Sequence, residues 1–209
     1  LDFLVATENE LKGYYQENSL IFAIISKRKA VAYRDEAKYE DALKEGKKSE
    51  AILEELMKQN PEKSVELELV DLYEEVVGAM YCQLGDFENA ELYFNKELLI
   101  YRKYFGEKSK EVAEVYTGFS IHYLQKGDFK QAEEYALKSV SICESILDGN
   151  DINLAWAYSA LAIVYSDLDY NDKAKPFYDK MAQILEKNTD NRNLKTYEVS
   201  TLYARLVLY

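Results

Sequence analysis

An alanine recurs every 42 residues through the middle of the chain, at Ala90, Ala132 and Ala174. A tyrosine precedes each alanine by nine residues, and an isoleucine follows it by ten. A fixed period of this length predicts stacked supersecondary units, each packing on its neighbours, rather than one globular core. The tyrosines are Tyr81, Tyr123 and Tyr165, and the isoleucines are Ile100, Ile142 and Ile184.

A turn motif separates each tyrosine from its alanine. Gly85-Asp86 and Gly127-Asp128 occupy the same place in two periods, with an aromatic residue next. Glycine favours the left-handed end of one helix, and aspartate favours the start of the next. The third copy reads Leu168-Asp169-Tyr170, which predicts an altered turn. Each period is therefore predicted to be a helical hairpin. Ser109 and Asp151 are the expected N-caps of two hairpins.

The repeat pattern divides the whole chain into hairpin units. Tyr33 and Ala42 form a weaker copy, and Ala42 stands 48 residues before Ala90. Asn60-Pro61 falls within these additional residues and predicts a longer loop there. We expect a single array over residues 1–209. It comprises a lone helix (1–16), a divergent repeat (19–59), three regular repeats (63–106, 109–148 and 151–188) and the start of an incomplete repeat (192–209).

The charge of the chain narrows the classes of partner. The net charge is −12 and the isoelectric point is about 4.7. Phosphate contacts require a basic surface, so we expect no nucleic acid and no anionic membrane as partner. Cys82 and Cys143 have no paired spacing and suggest a reducing, cytoplasmic setting. The chain begins with Leu1 rather than Met, which leaves open that it is a piece of a longer protein with a signal or anchor removed.

No catalytic or metal-binding motif emerges from the residue pattern. His122, the one histidine, has no motif relationship to a cysteine, serine or carboxylate, and we expect a structural or surface role. Carboxylates are dense in 50–55 and 66–75, where interspersed apolar residues predict solvated helix faces. We therefore expect no enzyme activity, no cofactor and no metal.

The repeat resembles the tetratricopeptide repeat. Val77-Gly78 takes the Leu-Gly place of that family, whereas Ala136 departs from its later aromatic place and the terminal proline is missing. The unit is about eight residues longer than the usual 34. In this length it resembles the repeats of the kinesin-light-chain group. Its best match is the stretch 100–106 followed by Val112-Ala113. The resemblance implies an all-α, right-handed solenoid of antiparallel helix hairpins. Tyr116 and Tyr158 match the first aromatic place, and Phe94 and Tyr178 match the later one.

In that family the first helix of each unit lines a concave groove that binds a protein or peptide. The resemblance therefore implies a non-catalytic binding scaffold, with Trp156 as the natural anchor. Ile121 and Ile163 either face a ligand or are covered by the succeeding helix, and both readings stay open. The matching positions, here called the first-helix face, are Lys27, Arg34, Glu75, Gln83, Glu114, Thr117, Ile121, Gln125, Trp156, Ser159, Ile163 and Asp167.

The acidic residues of the first-helix face predict a neutral to basic partner segment. The alternative function is a ligand- or peptide-sensing regulatory module excised from a larger signalling protein. The unfinished unit at 192–209 also predicts self-association, because solenoid ends normally need a polar cap.

Overall fold

The computed structural model describes residues 1–189, and every regular element among them is helical. The contacts group the chain into two compact units, Leu1–Ile100 and Tyr101–Tyr209. The predicted repeat start at 192–209, with its predicted self-association, lies outside the described residues. The helices are α1 (Asp2–Leu11), α2 (Leu20–Asp35), α3 (Tyr39–Gln59), α4 (Lys63–Leu72), α5 (Gly78–Gln83), α6 (Phe87–Phe105), α7 (Lys110–Lys126), α8 (Phe129–Ile146), α9 (Ile152–Asp167) and α10 (Asn171–Thr189).

Within residues 1–189, the same left-handed turn joins the two helices of each of the four hairpins. Gly85 and Gly127 have φ of 74° and 81°, which confirms their predicted role as helix ends. The sequence predicts an altered third turn, but Asp169 adopts the same conformation at φ 58°. In that turn the amide of Tyr170 donates to the carbonyl of Tyr165 at 2.8 Å, as its counterparts do in the other turns. Backbone hydrogen bonding thus preserves the turn where glycine is missing.

Side-chain caps begin the helices at the predicted places. Ser109 Oγ accepts a hydrogen bond from the amide of Val112 at 3.3 Å, and an Asp151 carboxylate oxygen accepts one from Asn153 at 2.8 Å. Both satisfy amide groups that a helix start leaves without an intrahelical partner.

The prediction of a longer loop at Asn60-Pro61 is wrong. Only residues 60–62 separate α3 from α4. The additional residues instead lengthen helices: α3 has 21 residues, against 19 in α6. The first helix of the next hairpin continues from α4 through a π-helical turn, Tyr73–Val77, into α5. A π-turn absorbs an inserted residue without ending the helix.

The core of the first unit lies between α2, α3 and the continuous stretch from α4 to α5. Gly46 of α3 is buried against the π-turn. A β-carbon at this position would lie 2.9 Å from Val76 Cγ1 and 3.2 Å from Val77 Cγ2, so the two backbones can approach this closely only with glycine. Gly46 therefore allows the π-turn to pack directly against α3.

The core of the second unit is built on α9, which packs against α7, α8 and α10. Because neighbours surround it, residues 157–162 are buried without interruption. Tyr135 of α8 stacks on Phe119 and Tyr123 of α7, with ring centroids 4.7 and 5.4 Å apart. These tyrosines fill the space between paired helices, as the repeat pattern predicts.

No helix within residues 1–189 is long and apolar enough to cross a membrane.

Candidate functional site

The first-helix face of the first unit carries a lysine surrounded by carboxylates. Lys27 of α2 is only 7% exposed, and its Nζ lies 3.3 Å from Glu68, 3.7 Å from Asp71 and 4.0 Å from Glu75. Three carboxylates share this one ammonium group, so the local charge is negative. Lys27 is engaged by the chain itself rather than displayed as a basic contact point.

The electrostatics of this cluster follow from its crowding. Burial raises the pKa of Asp71; Lys27 opposes this rise, and the negative charges of Glu68 and Glu75 add to it. Carboxylates at close range disfavour one another's ionised forms. A second cation placed here would relieve that repulsion. Glu68 and Asp71 are not among the residues predicted for the first-helix face. They precede Glu75 by seven and four residues on the same helical stretch, and this spacing is the signal that places all three on one face.

Arg34 serves the π-turn. Its Nη1 donates a hydrogen bond of 2.8 Å to the main-chain carbonyl of Glu75, within Tyr73–Val77. Its guanidinium also lies 3.0 Å from Asp35. The structure thus brings together Lys27, Arg34 and Glu75, and it leaves Gln83 exposed at the end of α5.

In the second unit, the predicted residues of α7 differ in their surroundings. Glu114 and Gln125 are exposed, and Ile121 is half-buried. Thr117 is half-buried and turns towards its own hairpin: its hydroxyl donates to the carbonyl of Ala113 at 3.2 Å and lies 2.8 Å from Ser139 Oγ of α8. Thr117 therefore offers a ligand less accessible surface than its place on the first-helix face predicts.

The predicted residues of α9 divide in the same way. Trp156 is half-buried and packs against the core of the second unit, and Ile163 is half-buried. Asp167, the last residue of α9, is exposed. Ser159 has no exposed surface, so it is not available for contact as the protein stands. The accessible part of this face is apolar in its middle and acidic at its end.

The expectation of a solvated carboxylate face at 50–55 is wrong for Glu50, which is 3% exposed. Its carboxylate accepts hydrogen bonds from Lys47 at 2.5 Å, Tyr93 at 2.9 Å and Lys96 at 3.0 Å. Burial alone would raise the pKa of Glu50, but the hydrogen bonds from Lys47 and Lys96 hold it below its ordinary value. Glu50 stands one repeat before the buried Leu98, and this register is the signal that could have found it.

The histidine and cysteine side chains are the other candidates for metal or acid–base chemistry in the part of the chain that the structure describes. Residues 1–189 contain no group of three or more histidine, cysteine or carboxylate side chains placed to hold a metal ion. His122 is 1% exposed, and its ring lies edge-on to Tyr123 at 5.0 Å between centroids. Burial raises the pKa of Cys82 to about 11, so its thiol is protonated at neutral pH.

Solved structures with the same fold support this description. BtubC (BKLC) from P. vanneervenii matches with a TM-score of 0.65 at 20% identity, covering 83% of this chain and 66% of that one. A putative kinesin light chain from Podosopora anserina, with nearly identical TPR-like repeats, matches with a TM-score of 0.68 at 13% identity, covering 92% and 87%. These identities are low, so the likeness shows the fold: a helical-repeat solenoid.

A third structure contains a bound peptide. The Rap conjugation gene regulator of plasmid pLS20, in complex with the Phr* peptide, matches with a TM-score of 0.66 at 18% identity. The match covers 98% of this chain but only 56% of that regulator. The chain therefore spans about two thirds of BtubC and little more than half of the Rap regulator.

Sequence comparison gives the family directly. No curated protein matches the chain. The family model for the tetratricopeptide repeat matches residues 69–145 and 120–187, which together make up more than half of the sequence. The chain belongs to the tetratricopeptide repeat family.

Proposed function

We propose that this protein is a non-catalytic binding module that holds a protein or peptide segment along its first-helix face. The observation that carries the proposal is the accessible apolar surface of Ile121, Trp156 and Ile163 on the first helices of a tetratricopeptide repeat. Each side chain is half-buried, so a ligand would complete the burial of surface that the hairpins only partly cover. Repeat solenoids generally supply extended surfaces of this kind for binding.

The charges favour a neutral to basic ligand. Glu114 and Asp167 are exposed on the first helices of the second unit. In the first unit, Glu68, Asp71 and Glu75 outnumber the single Lys27. Complementary charge speeds association and rejects like-charged segments. The same acidic character argues against nucleic acid and anionic membranes as partners. We also propose a cytoplasmic location, which the free thiols of Cys82 and Cys143 support.

A display library of random peptides tests the proposal. Selection on the chain should enrich neutral to basic peptides with an apolar residue, and Trp156→Ala should lose them while keeping its helical circular dichroism. Gln183→Ala, a change on the exposed side of α10, is the matched control and should keep them. Enrichment of acidic peptides, or equal binding by the folded Trp156→Ala variant, would overturn the proposal.

A peptide-sensing regulatory module is the second candidate. The fold shared with the Rap regulator, whose structure holds the Phr* peptide, favours it. The two candidates differ in what the bound peptide controls. An effector domain encoded next to this segment, with activity that changes on peptide binding, would favour the regulator; capture of a partner without such coupling would favour the scaffold.

We also propose that the protein has no enzymatic activity of its own. The buried His122 and the protonated Cys82 support this reading. A turnover that His122→Ala or Asp167→Ala abolishes would contradict it.

A further inference from the structure

The outer side of α6 carries two exposed leucines. Leu92 is 51% exposed and Leu99 is 66% exposed. They stand seven residues apart on one helix, which places them on the same face about two turns apart. Asn95 lies between them and is also exposed. These residues form a short apolar stripe with an amide at its centre.

Repeat packing gives no reason for leucine at these positions. The equivalent positions in α3, α8 and α10 are all exposed, and none of them holds a leucine. The other three hairpins are built without leucine there, so the leucines of α6 are specific to this helix. The equivalents of Leu92 are Lys44, Glu134 and Pro176, and those of Leu99 are Ala51, Ser141 and Gln183.

The charges that flank the stripe complement the helix itself when it is reversed. Glu88 lies four residues before Leu92, and Lys103 lies four residues after Leu99, in the first and last turns of α6. An antiparallel copy of α6 would set Leu92 against Leu99 and Glu88 against Lys103 of the second copy. This register places the two-fold axis between residues 95 and 96, so the two Asn95 side chains lie close beside it. An amide both donates and accepts hydrogen bonds; one donor of Asn95 already reaches the carbonyl of Glu91 at 2.8 Å. A parallel copy would instead oppose like charges.

We propose that α6 is the contact surface of a homodimer, with two copies of this chain packed antiparallel across a two-fold axis beside Asn95. A two-fold contact is self-complementary, since each residue meets its partner twice. The face of one helix is small compared with the roughly 800 Å² per partner of a stable interface. The dimer is therefore weak and forms as the protein concentration rises.

Sedimentation equilibrium over a concentration series tests the dimer. Leu99→Glu should raise the dissociation constant by about tenfold or more, because it buries an unpaired charge. Ser141→Glu, the introduction of the same charge at the equivalent place on α8, should leave the constant unchanged. A monomer at every concentration, or a dimer that Leu99→Glu leaves intact, would overturn the proposal and assign α6 to another partner or to none.

A charge exchange tests the antiparallel arrangement. Glu88→Lys and Lys103→Glu should each weaken the dimer, and the double variant should restore it because the opposite charges meet again across the axis. Failure of the double variant to recover association, with each single variant weakened and folded, would overturn the antiparallel register.

Discussion

Glu50 is a buried carboxylate at a repeat position where later hairpins hold apolar side chains. It occupies the repeat position held by Leu98 and Val140 in later hairpins, both of which are buried. The carboxylate is tolerated there because Lys47, Tyr93 and Lys96 direct their donors at it. The Lys96 ammonium also lies 4.5 Å from the centroid of the Tyr93 ring. Buried charge is stable only when it is paired and hydrogen-bonded.

Replacing Glu50 by glutamine should lower the free energy of unfolding by about 1–3 kcal/mol, since charge-assisted hydrogen bonds are lost in the core. The lower end is expected because the ammonium groups of Lys47 and Lys96 reach solvent. Urea unfolding measures the change. Glu54→Gln, at a half-exposed carboxylate 3.9 Å from Lys96, is the control and should change stability by less than about 0.5 kcal/mol. Equal midpoints for both variants would refute this role of Glu50.

The lowered pKa of Glu50 gives this stability a pH dependence. A carboxyl whose pKa is lower in the folded than in the unfolded state stabilises the fold above its unfolded value, and that contribution is lost as the pH falls through the folded value. The difference in unfolding free energy between the parent chain and Glu50→Gln should therefore be constant above pH 4.5, the ordinary value, and shrink below it. Urea titrations across the acidic range measure it; a difference that grows on acidification would contradict the assignment.

Among the structural elements, the turn inside each hairpin is defined by one residue with a left-handed backbone conformation. Residues 37, 85, 127 and 169 all have positive φ, and two of them are not glycine. Ala37, at φ 56°, has no side chain that hydrogen-bonds locally to favour a left-handed conformation. The fold thus holds Ala37 in a conformation that its residue type disfavours.

Ala37→Gly should therefore stabilise the protein, by about 1 kcal/mol, since glycine adopts positive φ without steric cost. Ala51→Gly, at an exposed position inside α3, should destabilise it by a similar amount because glycine weakens a helix interior. Thermal unfolding of the two variants measures opposite shifts. A loss of stability in Ala37→Gly would contradict this prediction, because it would show that relieving the positive φ of Ala37 does not stabilise the fold.

The π-turn is the other informative element. Its segment Tyr73–Val77 faces Gly46 on one side, and Arg34 donates to the carbonyl of Glu75. An inserted residue in a helix disturbs the regular ladder and leaves backbone groups in need of other partners. Arg34 supplies one such partner. Because Arg34 makes this hydrogen bond within the first unit, its guanidinium is less available to contact a ligand.

For the whole molecule, the sequence predicts the repeat and the two glycine-containing hairpin turns well because both depend on local patterns. It does not predict that the third turn keeps the same conformation at Asp169. Gly127 and Ser109 have conformations and hydrogen bonds that follow from residue type. The partners of Glu50 could not be read in this way, since Tyr93 and Lys96 lie 43 and 46 residues further along. The prediction of a longer loop at Asn60-Pro61 is wrong because a π-turn accommodates added residues inside a helix. Neither a proline nor a glycine marks such a turn in the sequence.

The first-helix face could be placed only in part. The family pattern selects positions that are exposed at Asp167 and Gln125, but it does not foresee that Ser159 is buried or that Thr117 contacts Ser139. Those outcomes depend on how closely neighbouring helices approach, which side-chain spacing alone does not determine. The partner itself depends on residues outside this chain.

Titration of a display-selected peptide into Asp167→Lys tests whether a ligand binds along the first-helix face. The variant reverses an exposed charge at the end of α9 without touching the core, so folding should be unchanged. A basic peptide should bind the variant about five- to tenfold more weakly, in line with about 1 kcal/mol for a partly exposed charge pair. Asp148→Lys, on the loop before α9, should bind as the parent chain does. Unchanged affinity in Asp167→Lys, or equal loss in both variants, would contradict binding along the first-helix face.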